Sequence, residues 1–155
     1  LSWAKTFTAG GPHPIIHHQY VGYVLGDVAA KIEAARYFCW KAAHYIDQHD
    51  YHGELIGALN KTYCTETLFD AVYKCLQVVG VNSADRKHAF EKYLREAAIF
   101  PIYDGGNFGM QRRRVHGVIA SPSFEPRALM DNGFVEFTKA METIDTVAAP
   151  TPAGA

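Results

Sequence analysis

Apolar residues recur at helical spacing along most of the chain, and no segment alternates convincingly with the period of two that marks a strand. The longest apolar stripe begins near His18 and ends near His49. Its members stand one, three or four positions apart: Val21, Val24, Leu25, Val28, Ile32, Ala35, Cys39, Ala42 and Ile46. A second stripe runs from about Glu54 to Val79, where Gly80 provides a typical C-terminal stop. The pattern therefore predicts two long helices.

The rest of the chain predicts shorter helices between turns that contain glycine or proline. A third helix is expected to begin after Asn82 or Ser83, either of which can cap it, and to run to Ala98. A fourth is expected over 109–120, and 128–144 is a candidate for a short additional helix. The predicted fold class is all-α, an antiparallel bundle of about four main helices.

The same pattern predicts one folded unit with irregular ends. Glycine and proline residues indicate an irregular N-terminal segment over 1–17, and the helical bundle domain is expected to span 18–120. A C-terminal extension follows over 121–146. The Ala- and Pro-rich end, 147–155, is predicted to be disordered.

The composition is that of an ordinary soluble globular protein. The 155 residues include 15 Lys+Arg and 16 Asp+Glu, for a formal net charge of −1, and 48% of them are hydrophobic. This balance argues against a nucleic-acid partner, which would need a surplus of Lys and Arg. Uncharged stretches fall short of the ~20 residues that span a bilayer, so no membrane partner is expected.

Three cysteines, Cys39, Cys64 and Cys75, are an odd number without C-x-x-C spacing. They predict neither a disulfide framework nor a zinc ribbon, and they indicate a reducing compartment. We therefore expect an intracellular, cytoplasmic protein. Because the chain starts at Leu1, we also expect a fragment or a processed chain.

Metal-ligand residue types crowd into one short segment, which holds His44, Asp47, His49, Asp50 and His52. The spacing does not reproduce the i,i+4 histidine pair of an H-E-x-x-H site. Histidines near a helix C-terminus also complement the helix dipole. No metal site is predicted.

Arg112, Arg113 and Arg114 place three cations at the start of the fourth helix. They form a solvated charged face or, because cations near a helix N-terminus oppose its dipole, they require an acidic partner. That partner could be a carboxylate, a phosphate or another subunit.

Asp104 is a lone carboxylate that follows the apolar run 99–103 and precedes two glycines. If such neighbours desolvate it in part, its carboxylate suits general-base work, and the glycines let a ligand approach the backbone. Asp-Gly is also a common turn dipeptide, so Asp104 could instead turn or cap the chain. The residues alone leave both interpretations open.

Five segments carry motifs of one known family. They read Pro14-Ile-Ile-His-His-Gln19, Lys31-Ile-Glu-Ala-Ala-Arg36, Gln77-Val-Val-Gly80-Val81, Tyr93-Leu-Arg-Glu-Ala-Ala98 and Ile102-Tyr-Asp-Gly105. In order and spacing they resemble the C-terminal helical domain of the acyl-CoA dehydrogenase superfamily of flavoproteins, over about residues 5–120. The all-α bundle predicted above agrees with that domain.

The resemblance implies a role for the loop after the third helix. Asp104 occupies the position of the base that removes an acidic α-proton, and the sequence Asp104-Gly-Gly-Asn107 resembles the nitroalkane oxidase-like branch. Gly105 and Gly106 match the loop that substrate and flavin approach, so Gly105 is expected at the substrate and Gly106 at the cofactor. Arg112 resembles an arginine of the family and is expected to contact substrate.

Other positions imply the cofactor FAD. Gln77, Val78 and Gly80 match a turn that contacts the FAD of a neighbouring subunit. The chain departs from the family pattern at three points: Thr8 or Ala9 stands in place of an arginine that contacts the FAD pyrophosphate, Val81 replaces the second glycine of the turn, and Gln111 stands where nitroalkane oxidase carries an arginine.

The resemblance also implies partners. Family members carry an N-terminal helical domain and a middle β-domain, so we expect a companion chain or segment that supplies both. Apolar residues on two sides of the second helix, such as Tyr63 and Tyr73 opposite Leu68 and Val72, predict a homo-oligomer, a dimer or tetramer.

The leading hypothesis from the sequence is the C-terminal domain of an FAD-dependent oxidoreductase that acts on a small-molecule substrate. The alternative is a non-catalytic helical assembly or regulatory domain that keeps the fold only.

Overall fold

The computed structural model describes residues 1–48, 50–122, 124 and 126. Within these residues the chain forms five α-helices and no strand, so the predicted all-α class is confirmed. The helices are α1 (Ser2–Thr6), α2 (Gln19–Gln48), α3 (Asp50–Val79), α4 (Phe90–Ile99) and α5 (Arg112–Ile119). Short 3-10 turns cover Ile15–His17 and Gly80–Ala84, and a π-helical turn covers Gly106–Gln111.

Helices α2 and α3 form the long hairpin on which the other elements pack. The apolar core lies between this hairpin and α5, where Ala42, Tyr45, Leu55, Ile56 and Val118 are buried. Burying a large aliphatic side chain stabilises a fold by about 1.5–3 kcal/mol. The core therefore fixes α5, and the turn that leads into it, against α3.

An ionic cluster joins the two long helices away from this core. Lys31 of α2 donates to Asp70 of α3, and Lys74 Nζ lies 3.5 Å from the same carboxylate oxygen. The hydrogen bond from Lys31 holds the pKa of Asp70 below its ordinary value and raises the pKa of Lys31. All three side chains are about one third or more exposed, so we expect the cluster to contribute at most about 1 kcal/mol.

The N-terminal segment is more regular than the sequence indicates. Helix α1 forms within it because the helix-breaking Gly and Pro residues begin only at position 10. The ring of Trp3 lies 4.8 Å from that of Phe7 and 5.1 Å from that of His88, which attaches α1 to the segment before α4. The prediction of an irregular segment over 1–17 is therefore wrong for Ser2–Thr6 and Ile15–His17.

Three predicted helix starts are also wrong. The second helix starts at Asp50 rather than near Glu54. The third helix starts at Phe90, because Gly80 takes a left-handed φ of +71° and the side chain of Asp85 accepts a hydrogen bond from the backbone N–H of Lys87. The fourth starts at Arg112, since the residues before it form the π-helical turn. Ile32 and Ile46, assigned to the inner stripe of α2, are exposed.

The expectations for 128–144 and for the tail 147–155 lie outside the described residues, as does most of the extension 121–146. Among the helices that the structure describes, none has the length and apolar character needed to cross a membrane.

Candidate functional site

The loop that carries Asp104 joins α4 to the π-helical turn, and its backbone makes several internal hydrogen bonds. The carbonyl of Ile99 accepts the N–H of Ile102 at 2.9 Å, and the carbonyl of Pro101 accepts the N–H of Asn107 at 2.8 Å. The carbonyl of Tyr103 accepts the N–H of Gly106 at 3.2 Å. These bonds pair three of the loop's backbone N–H groups and restrict its conformation.

Helix α3 holds the same loop through Lys61. Its ammonium donates to the backbone carbonyls of Phe100 and Tyr103, the latter at 3.2 Å. The nitrogen also lies 4.6 Å from the centre of the Tyr103 ring, within range of a cation–π attraction. Lys61 therefore attaches the end of α4 and the start of the loop to the middle of α3.

Asp104 lies in a run of three left-handed residues, with φ of +57° at Asp104, +75° at Gly105 and +68° at Gly106. Aspartate tolerates this region better than most side chains, and glycine enters it freely. A Cβ added at Gly105 would overlap the side chain of Met110, so another residue there would also require that side chain to move. The Asp-Gly-Gly sequence thus follows from the turn that the backbone makes here.

The backbone of Asp104 is fixed, but its carboxylate is not. Gln111, which is 4% exposed, donates its side-chain N–H to the carbonyl of Asp104 at 3.1 Å. The Asp104 side chain itself has no hydrogen bond or ion pair with any described residue. Gly105, not Asp104, occupies the N-cap position of the π-helical turn, and no side chain makes a capping hydrogen bond there. The interpretation of Asp104 as a helix cap is therefore wrong, although it does lie in a turn.

Asp104 is exposed in this chain, so its apolar neighbours in sequence do not cover it here. Several large apolar side chains near it in sequence are exposed as well: Ile102 (68%), Tyr103 (50%), Phe108 (91%) and Met110 (45%). The loop therefore presents a free carboxylate among uncovered apolar side chains.

A polar network lies on the other side of the loop. Asn107 is 2% exposed, and its amide donates to Thr65 Oγ1 at 2.8 Å and to Glu66 Oε1 at 3.3 Å. Arg112 Nη2 donates to the carboxylate of Glu66 at 2.8 Å. Glu66 is thus the acidic partner that the arginine cluster required. Arg113 and Arg114 make no ion pair with the described part of the chain and are exposed.

The sequence analysis missed the residues that position the loop: Lys61, Thr65 and Glu66, here called the α3 clamp, together with Asn107 and Gln111. One signal was present, because Lys61 and Thr65 stand four positions apart and so share one face of a helix, with Glu66 directly after Thr65.

The predicted cofactor residues lie at the end of α3, here called the α3 terminus (Gln77, Val78 and Gly80). Gln77 is exposed and its amide has no hydrogen bond to the described residues. A Cβ built at Gly80 would meet nothing within 4 Å, and Val81 is 87% exposed. Gln77 and Gly80 therefore lie on an open edge, whereas Val78 is half-buried.

The structure does not bring the two sets of predicted site residues together. At a rise of 1.5 Å per residue, the helix between Glu66 of the α3 clamp and Gln77 of the α3 terminus is about 16 Å long. Gly105, Gly106 and Arg112 lie with Asp104 at the clamp. Within one chain, the α3 terminus is therefore remote from the loop.

Comparison with known proteins identifies the relatives of this fold. Residues 1–119 match the acyl-CoA dehydrogenase C-terminal domain family. Nitroalkane oxidase from Podospora anserina is 33% identical over 129 residues, and that from Fusarium oxysporum is 31% identical over 131 residues. These alignments cover 81% and 83% of this chain but 30% of each relative. The chain thus spans less than a third of the length of these relatives.

A solved structure of the flavoprotein nitroalkane oxidase superposes with a TM-score of 0.79 at 30% identity, and it covers 84% of this chain and 31% of the other. The family match over residues 1–119 extends from α1 to the end of α5. The chain therefore belongs to the acyl-CoA dehydrogenase family, to its C-terminal domain.

Proposed function

We propose that this chain is the C-terminal helical domain of an FAD-dependent oxidoreductase in which the carboxylate of Asp104 accepts an acidic α-proton from a small-molecule substrate. One observation carries the proposal. The backbone of Asp104 is held by its neighbours while its carboxylate has no partner in the described chain. Relatives that share the fold are oxidases and dehydrogenases by name.

The geometry suits a general base. A base must reach the proton that it takes, and it works best when its position is fixed before the substrate arrives. Lys61 binds the carbonyls of Phe100 and Tyr103, which precede Asp104. Gln111 binds the carbonyl of Asp104 itself, so the backbone at the base is fixed. The side-chain oxygens then remain available to accept a proton from a C–H bond next to an electron-withdrawing group.

The uncovered apolar residues around Asp104 support the same proposal. Large apolar side chains left exposed beside a functional group are typical of a binding surface. Substrate, or the companion segment with the N-terminal helical and middle β-domains, would cover Tyr103, Phe108 and Met110. Covering them would remove water from the carboxylate and strengthen its interaction with a bound substrate.

The residues at the α3 terminus fit FAD as an edge contact. The unpartnered amide of Gln77 can donate or accept one hydrogen bond, and the open space above Gly80 admits a flat group against the backbone. When bound, FAD would supply the acceptor for the electron pair that leaves the substrate. Val78 would add an apolar contact, and Gly106 would let the cofactor approach the loop.

The separation between the α3 terminus and the loop favours an oligomer. About 16 Å of helix separates Glu66 from Gln77, so Gln77 lies away from Asp104 of the same chain, and we propose that it contacts the cofactor of a neighbouring subunit. A homo-oligomer, a dimer or tetramer, would then complete each site. Exposed Tyr63, Phe69 and Tyr73 on α3 supply apolar surface for such contacts.

Gln111 bears on the substrate class. One solved nitroalkane oxidase was studied for the roles of an arginine and an aspartate, seven positions apart, in its reaction. In this chain the seventh residue after Asp104 is Gln111, and its amide is engaged by the loop carbonyl. Arg112 follows, although it is paired with Glu66. We therefore propose the α-proton chemistry without assigning it to nitroalkanes.

The test is Asp104→Asn in the flavin-loaded protein, with anaerobic stopped-flow measurement of flavin bleaching by a nitroalkane and by an acyl-CoA thioester. Loss of the basic oxygen should slow flavin reduction by about 10²–10⁴-fold while flavin binding is retained. Asp104→Glu keeps the base and should be milder.

Asp85→Asn is the matched control, because Asp85 is an exposed aspartate whose side chain only closes a local turn. It should reduce flavin at the wild-type rate. Near wild-type reduction by Asp104→Asn would contradict the proposed base. Failure of every substrate to bleach a bound flavin would favour the alternative, a non-catalytic assembly domain.

A further inference from the structure

Two of the three cysteines meet between the long helices. Cys39 of α2 and Cys64 of α3 have their Sγ atoms 3.9 Å apart. Between antiparallel helices with axes about 8–10 Å apart, residues on the facing lines have Cα atoms close enough for a disulfide to link them. Rotation of the two side chains would bring the sulfur atoms from contact to bonding distance.

The surroundings of the pair are polar. The amide of Asn60 donates to Cys64 Sγ at 3.1 Å and to Cys39 Sγ at 3.5 Å. The thiol of Cys64 donates to the carbonyl of Ala35 at 3.5 Å. Because Asn60 and Cys64 lie one turn apart on α3, Cys39 lies beside both. The side-chain N–H of Asn60 would therefore donate a hydrogen bond to a thiolate formed at either sulfur.

The two sulfur atoms differ in access. Cys39 is exposed, whereas Cys64 is half-buried. Burial, reinforced by the neighbouring Cys39, raises the pKa of Cys64 to about 12. An oxidant in solution therefore meets Cys39 first, and Cys64 serves as the group that resolves the oxidised sulfur. Cys75, further along α3, has no such neighbour among the described residues.

We propose that Cys39 and Cys64 form a reversible redox site that hydrogen peroxide converts to a disulfide between α2 and α3. The thiolate of Cys39 attacks one peroxide oxygen, the O–O bond breaks, and the departing hydroxide takes a proton and leaves as water. The sulfenic acid at Cys39 is then attacked by Cys64 Sγ. The S–O bond breaks, the S–S bond forms, and the departing hydroxide takes the proton of the Cys64 thiol and leaves as a second water. Two thiols and one peroxide thus give one disulfide and two waters.

This site does not depend on the proposed function, since it uses only residues of the helical hairpin. It is also compatible with a reducing compartment, where thiols are reduced at rest and disulfides are transient. The linked hairpin would be released by thiol reductants through exchange at the exposed sulfur of Cys39.

Peptide mapping tests the proposal directly. Trypsin cleaves after Arg36, Lys41, Lys61, Lys74 and Arg86, so each cysteine falls in a separate peptide: 37–41, 62–74 and 75–86. The reduced native protein is treated with hydrogen peroxide, its free thiols are blocked with N-ethylmaleimide in denaturant, and the digest is analysed by mass spectrometry. We expect peptides 37–41 and 62–74 to be joined with the loss of two hydrogen atoms, and dithiothreitol to separate them.

Variants and a denatured sample sharpen the result. Cys75→Ser should form the same link, whereas Cys64→Ser should leave a sulfenic acid at Cys39 that dimedone traps. Peroxide treatment in urea should give mixed pairings that include peptide 75–86. The proposal is overturned if native Cys39 proceeds to sulfinic or sulfonic acid while Cys64 stays blocked by maleimide. It is equally overturned if links to Cys75 form in the native protein as readily as the link between Cys39 and Cys64.

Discussion

The middle and the end of α3 present two different surfaces to the rest of the molecule. At the α3 clamp, Lys61 binds loop carbonyls, while Thr65 and Glu66 bind the buried amide of Asn107. At the α3 terminus, Gln77 has no described partner and Gly80 faces open space. The clamp uses its hydrogen-bonding capacity within the chain, whereas the terminus keeps its capacity for another molecule.

This difference separates residues that position a site from residues that contact a ligand. A polar side chain whose partners are all internal adds stability, and its loss leaves buried groups unsatisfied. A polar side chain that is exposed and unpartnered adds little to folding. Mutations at the α3 clamp should therefore change the free energy of unfolding, whereas a mutation of the exposed Gln77 at the α3 terminus should change only binding.

The largest expected effect on stability is that of Asn107→Ala. The change removes the amide that Thr65 and Glu66 share and leaves a small cavity beneath the loop. We expect a loss of about 2–3 kcal/mol in the free energy of unfolding, measured by urea denaturation. Asn82→Ala, in the 3-10 turn before α4, serves as control and should cost less than about 0.5 kcal/mol. Equal losses for the two variants would show that the buried network does not hold the loop.

Lys61→Met should have an intermediate effect. The methionine keeps most of the apolar stem but loses the hydrogen bonds to Phe100 and Tyr103 and the attraction to the Tyr103 ring. We expect a loss of about 1–2 kcal/mol and faster amide hydrogen exchange confined to the loop. Lys92→Met is the matched control, because Lys92 makes only an exposed ion pair with Glu96 at 3.5 Å. Unchanged exchange in the loop of Lys61→Met would contradict the clamp.

The sequence predicted the helices well where the signal is local, and less well elsewhere. The apolar spacing of α2 and α3 gave two long helices, and the Asp-Gly-Gly run indicated a turn at Asp104. The start of α4 was missed because it depends on the left-handed Gly80 and the turn at Asp85.

The candidate site was predicted only in part, for a related reason. The resemblance located Asp104, but Asn107 and Arg112 meet α3 residues that stand 41 to 46 positions earlier in the chain. The spacing of residues within one helix cannot predict a contact between residues that are so far apart in sequence. Burial of Gln111 was likewise invisible, because a polar residue beside three arginines indicates a solvated face.

The smallest effect on stability is expected for Gln77→Ala, and this variant separates the two surfaces most sharply. Because its amide is exposed and unpartnered in the described chain, the free energy of unfolding should change by no more than about 0.5 kcal/mol. If Gln77 contacts FAD in the assembled protein, flavin affinity should fall by about 2–10-fold, the worth of one hydrogen bond, as measured by fluorescence titration. Gln111→Ala makes the same chemical change at the loop, where the buried amide binds Asp104, and should cost about 1–2 kcal/mol of stability. A loss of stability in Gln77→Ala as large as that in Gln111→Ala would mean that the α3 terminus is also a structural contact. Unchanged flavin affinity in Gln77→Ala would instead remove Gln77 from the proposed cofactor site and leave the assignment of Asp104 standing by itself.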